Sequence, residues 1–99
     1  MATGKSTVQI DNGQVLAKRW TLAPGEEIGE HRHEHPYVVV PLAAGVVHLI
    51  TPDGVQSTAE MELGVSYHRP AGAQHTLCNA GSGTIDFVEI EILTPTTDS

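Results

Sequence analysis

The stretch that decides the fold is Gly25-Glu26-Glu27-Ile28-Gly29-Glu30-His31-Arg32-His33-Glu34-His35-Pro36-Tyr37-Val38-Val39-Val40-Pro41-Leu42. It opens on a Pro24-Gly25 turn signal, passes through two histidines one residue apart, and runs into a β-branched segment after Pro36. Residues i and i+2 of a strand point the same way with Cα atoms roughly 6.5 Å apart, so His31 and His33 can turn ring nitrogens toward one ion held at about 2.1 Å.

Outward from this stretch the pattern is uniformly that of strands. Val, Ile and Thr recur in short runs punctuated by Gly and Pro, and no window sustains a helical period, so the chain reads as all-β. Strands are expected over 7–10, 14–22, 28–33, 37–42, 46–51, 55–60, 65–69, 75–79 and 84–93. The turns between them are built on Gly, Pro, Asn and Asp, which supply the backbone angles that turns require. The polar segment 94–99 is expected to fray. In Tyr37–Leu42 neither alternating set is polar, and in 84–93 Ile85 and Phe87 fall on one parity while Val88, Ile90 and Ile92 fall on the other. Such strands are covered on both faces or carry a bulge, and a small barrel with surplus apolar outer surface is expected to form a homodimer.

Ninety-nine residues make one domain with one core. Five Lys and Arg against twelve Asp and Glu give a net charge of −7, which repels a nucleic-acid backbone and favours approach of divalent cations. No apolar run approaches the length of a membrane span, and the first residues lack a secretory pattern. With a lone Cys78 unable to form an internal disulfide, the expectation is a cytoplasmic protein without membrane or nucleic-acid partners.

Two spacings connect the histidines. Gly25, five residues, His31-Arg32-His33, four residues, Val38, six residues, Gly45 resembles the first cupin motif, with Val38 at the place of the acidic ligand. Gly64, five residues, Pro70-Ala71-Gly72, two residues, His75, three residues, Asn79 resembles the second motif at every position. The resemblance implies a single cupin domain over residues 1–99, an all-β jelly-roll barrel, with one divalent transition metal ion per subunit (Fe, Zn, Ni or Mn) held by His31, His33 and His75. The central wording is also similar to a group of short bacterial cupins connected with β-alanine degradation. With Val38 in place of a carboxylate, the likeness is to three-histidine cupins, which include thiol and β-diketone dioxygenases. Three neutral imidazoles leave the ion's charge uncompensated, so a small-molecule anion is the expected ligand.

The remaining residues are assigned by parity. His35 shares the parity of His31 and His33, but Pro36 turns the chain there, which makes it either a fourth ligand or a rim residue. Tyr37 is expected to point away from the site, and Gln74 and Cys78 to face away from His75. Trp20 and Tyr67 are pocket walls or plain core, and Arg69 pairs a substrate carboxylate if it points inward. Glu89 and Glu91 share one parity on the last strand, either as a base or second-shell partner of a ligand histidine or as that strand's wet face. His48 and His68 carry no spacing argument. The functional expectation is a dioxygenase-like metalloenzyme. The alternatives are a redox-neutral metal-dependent isomerase or lyase and a non-catalytic metal-dependent small-molecule binding protein.

Overall fold

The computed structural model describes residues 2–93 and contains nine strands. They are β1 (Lys5–Asp11), β2 (Val15–Leu22), β3 (Glu27–Arg32), β4 (Tyr37–Pro41), β5 (Gly45–Ile50), β6 (Gln56–Met61), β7 (Tyr67–Arg69), β8 (Gln74–Cys78) and β9 (Ile85–Ile92). Each coincides with an expected strand, and β7 is shorter than expected at its start. The reading of 94–99 lies outside the described residues. Two antiparallel sheets face each other, one ordered β1-β2-β9-β4-β7 and the other β3-β8-β5-β6. This is the jelly-roll sandwich that alternating short strands with Gly-Pro turns form when each sheet buries one face. No helix among the described residues is long and apolar enough to cross a membrane.

The core lies between the sheets. Leu22, Phe87, Ile85, Val39 and Tyr37 of the larger sheet meet Ile28, Val47, Met61 and Leu77 of the smaller one. The register of the larger sheet sets which residues face inward. Glu91, Tyr37 and Arg69 lie in one cross-strand row, and Lys18, Glu89, Val39 and Tyr67 lie in the next. Thus β9 carries no bulge: the parity that buries Ile85 and Phe87 also brings Glu89 and Glu91 to the inner face.

The opposite parity forms a different surface. Ile10, Ala17, Ile90 and Val38 run straight across β1, β2, β9 and β4 on the outer face, with Val88 and Val40 beside them. Val38 was expected to line the metal site. Its pairing opposite Ile90 and His68 turns it to this outer face instead.

The two motifs are tied together through the backbone. Gly25 N donates to Asn79 O at 2.9 Å, and Asn79 N returns a bond of 2.9 Å to Glu26 O. His33 N donates to Ala73 O at 2.8 Å and Gly72 N to His33 O at 2.7 Å, clamping the first motif's second histidine to the turn that precedes His75. Gly25 and Gly72 sit at φ of 86° and 101°, where a side chain would be strained, so these motif glycines are turn chemistry.

Candidate metal centre

His31 and His75 are directly opposite each other on β3 and β8 and therefore share the inner face. The register slips by one residue between Ile28 and His31. This bulge lets Ile28 enter the core while His31, three residues on, still points inward, which a regular strand forbids. The extra residue also presents a carbonyl: His31 Nδ1 donates to Gly29 O at 2.7 Å. A carbonyl only accepts, so Nδ1 carries a proton, which leaves Nε2 as the nitrogen that a neutral His31 ring would offer to a metal.

That nitrogen lies 3.0 Å from His33 Nε2. Two nitrogens bound cis to one ion at about 2.1 Å each are separated by about 3 Å, so this spacing suits a shared metal. The ring nitrogens of His31, His33 and His75 all lie within 4.8 Å of one another. Burial, then the neighbouring His31 and His75 charges, lowers the His33 pKa to about 4. Burial and His31 lower that of His75 to about 4. These rings are held neutral, the form that binds metal.

The structure corrects the expected surroundings of the triad in two ways. First, Tyr37 and not Val38 faces the histidines. Tyr37 is 4% exposed and stacks on His33, with ring centroids 4.0 Å apart and planes 24° from parallel. The bend over 34–36 resets the parity between β3 and β4, so the inward position falls one residue before the one assigned by motif spacing. Second, the charge is not uncompensated. Glu89 Oε2 lies 3.9 Å from His33 Nε2, and Glu91 Oε1 lies 3.8 Å from His33 Nδ1. His33, Glu89 and Glu91 form a second cluster of metal-ligating atoms within 4.8 Å of one another. Glu89 and Glu91 of β9 thus bring carboxyl groups beside His33, where the first motif's acidic position has none. Burial first, then Glu91, raises the Glu89 pKa to about 7, with Lys18 acting in the other direction.

The triad lies between two cavities. One, of about 160 Å³, is lined by apolar side chains including Val39, Leu49 and Leu77, with His75 and Glu89 among its polar groups and Tyr67 and Arg69 on its wall. The other, of about 280 Å³, is lined by Lys18, Trp20, Arg32, His31, His33, Glu89 and Glu91. Glu89 borders both. Trp20 thus faces the second cavity while packing against the core. Tyr67 and Arg69 face the first, where the guanidinium lies 4.5 Å from the centre of the Tyr67 ring. His35 is half-buried in the bend before β4 and joins neither cluster. Gln74 is exposed, and Cys78 pairs with His48 on the face of β8 turned away from the triad, as parity predicted. The thiol is buried, and that burial raises its pKa.

An inward-facing row of imidazoles and carboxylates inside a two-sheet jelly roll defines a cupin, and the chain belongs to that family: the cupin domain model matches residues 18–91. It is 48% identical over 86 residues to the β-alanine degradation protein BauB of Pseudomonas aeruginosa, a match spanning 87% of this chain and 90% of that one. The crystal structure of a cupin domain from Bordetella pertussis superposes with a TM-score of 0.87 at 45% identity, covering 92% of this chain and 94% of the other. A double-stranded β-helix protein from Klebsiella pneumoniae shares the fold at 19% identity and a TM-score of 0.75, covering 96% and 81% of the two chains.

Proposed function

We propose that this cupin is a metal-dependent enzyme acting on a small anionic molecule, with His31, His33 and His75 holding one divalent transition metal ion per chain. The observation that carries the reading is the 3.0 Å approach of two Nε2 atoms within a three-imidazole cluster beside an apolar cavity. A bound ion would supply Lewis acidity or redox capacity at the inner end of that cavity. The chain's own contribution is to orient the ligand nitrogens through Gly29 and Tyr37, place the Glu89 carboxyl beside them, and surround the substrate with apolar walls that exclude water. The Pseudomonas aeruginosa relative is named for β-alanine degradation. We take the substrate here to be a small acid of that kind of metabolism, handled in the cytoplasm.

Dioxygenase-type turnover is the first version to test: iron-loaded protein should consume oxygen with one member of a panel of small thiol acids and β-dicarbonyl compounds. Stoichiometric iron without oxygen uptake across the panel would favour a redox-neutral isomerase or lyase. Glu89 favours that second version, since a carboxyl group bordering both cavities can take or return a proton at Oε2. Binding of small acids without conversion of any would leave a metal-dependent binding protein.

The proposal includes a homodimer. The outer apolar band of Ile10, Ala17, Ile90 and Val38 is bordered by Arg19, whose Nε and Nη2 donate to Asp86 at 3.0 and 2.6 Å. That pair neutralises Asp86 at the border of the band, which lowers the repulsion between two chains of net charge −7 that meet there.

A further inference from the structure

The histidine cluster alone is a poor anchor for an anionic substrate, because the carboxyl groups of Glu89 and Glu91 stand beside it. The positive charge of the apolar cavity lies elsewhere. The chain has three arginines: Arg19 is paired with Asp86 and Arg32 with Glu34. Arg69, alone of the three among the described residues, has no carboxylate within ion-pairing distance, in a protein with twelve acidic side chains to offer. Its guanidinium is held over the Tyr67 ring, and Nη1 donates to His68 O at 3.0 Å. One N–H is used there and the rest of the donor fork is left for a ligand.

We infer that the apolar cavity takes a small monocarboxylate with its carboxylate on Arg69 and its uncharged end toward His75 and Glu89. This deepens the proposed function and rests on the same site. Polarity fixes the orientation: a carboxylate turned inward would meet Glu89, whereas one turned outward meets the unpaired guanidinium. The apolar walls of the cavity include Val39, Leu49 and Leu77, which suit a hydrocarbon body. A volume of about 160 Å³ corresponds to roughly five waters, or an acid of about five to eight non-hydrogen atoms. The register explains the arrangement. Arg69 and Tyr67 sit opposite Tyr37 and Val39, and these in turn sit opposite Glu91 and Glu89, so the register sets the acidic groups of β9 and the guanidinium of β7 on opposite sides of β4.

The test is calorimetric titration of the full chain, metal-loaded and metal-free, with propanoate, butanoate and pentanoate and with the corresponding primary amides. Wild-type protein should bind at least one acid at least tenfold more tightly than its amide in both forms. Arg69→Gln should remove that preference while leaving metal content unchanged, and Arg69→Lys, which keeps the charge but loses the fork, should fall between. Because the metal-free arm does not depend on the ion, absence of metal would overturn the metalloenzyme reading and leave this one standing. Equal binding of acid and amide, no binding of any acid, or an unchanged preference in Arg69→Gln would overturn it.

Discussion

Tyr37 lies flat against His33, ring centroids 4.0 Å apart, and is itself 4% exposed. A buried aromatic in this position does two things: it fills the core at the start of β4, and it limits the rotation of an imidazole whose Nε2 must meet that of His31. Tyr37→Phe keeps the ring and should cost less than about 1 kcal/mol, with metal affinity retained. Tyr37→Ala should cost about 3–4 kcal/mol and weaken metal binding by about 10–100-fold, because the histidine loses its support. Denaturant unfolding together with a competitive zinc chelator assay measures both effects.

The pH dependence of the metal-free protein should have a maximum. His33 and His75 have pKa values of 6.5 when unfolded and about 4 when folded, so over that range the unfolded chain binds more protons and stability falls as pH falls. Glu89 acts oppositely, at 4.5 unfolded and about 7 folded, so between those values the folded protein binds more protons and stability falls as pH rises. Two imidazoles outweigh one carboxyl until their residual protonation in the unfolded chain balances that of folded Glu89, close to pH 7. Thermal unfolding in EDTA should therefore give the highest Tm close to pH 7, with a decline toward pH 4. Glu89→Gln removes the opposing contribution and should steepen that decline between pH 6.5 and 4.5.

Val38→Glu separates the outer face from the site. Because Val38 sits opposite Ile90 on the outer apolar band, the substitution should leave metal content unchanged and convert the proposed dimer to monomers in light scattering. An increase in metal affinity would instead place residue 38 beside the histidines.

Asn79 closes the second motif for a structural reason. Its side chain is 1% exposed, and Nδ2 donates to Leu22 O and Gly83 O at 2.9 and 2.8 Å while Oδ1 accepts from Gly81 N at 3.1 Å. It thereby pins the turn between β8 and β9 to the end of β2. Asn79→Ala removes three hydrogen bonds and leaves buried backbone groups unpaired, so a loss of about 2–4 kcal/mol is expected in chemical denaturation, with metal stoichiometry intact.

Strand alternation, turn residues and the spacing of His31, His33 and His75 were all legible in the sequence, because each depends on local periodicity or on residue types suited to one chemistry. The facing of Tyr37 and Val38 was not. It depends on how the bend over 34–36 hands the chain from β3 to β4, and parity does not carry through a bend. The bulge at Gly29 and Glu30 was equally hidden, since its effect appears only when Ile28 and His31 are both found pointing inward. Glu89 and Glu91 could have been placed at the site with more weight on Phe87: a buried aromatic sets the inner parity of β9, and both carboxylates share it. Their charge made the wet face the simpler assignment, and it is the opposing histidines together with Lys18, across the row from Glu89, that make the inner face tolerable for them.

The most direct measurement is elemental analysis of the untagged protein and of His31→Ala, His33→Ala and His75→Ala, each checked for folding by circular dichroism. About one divalent transition metal ion per chain in the parent and a marked loss in every folded variant is the predicted result. Unchanged metal content in all three variants would contradict the assignment of these histidines as the centre of the site.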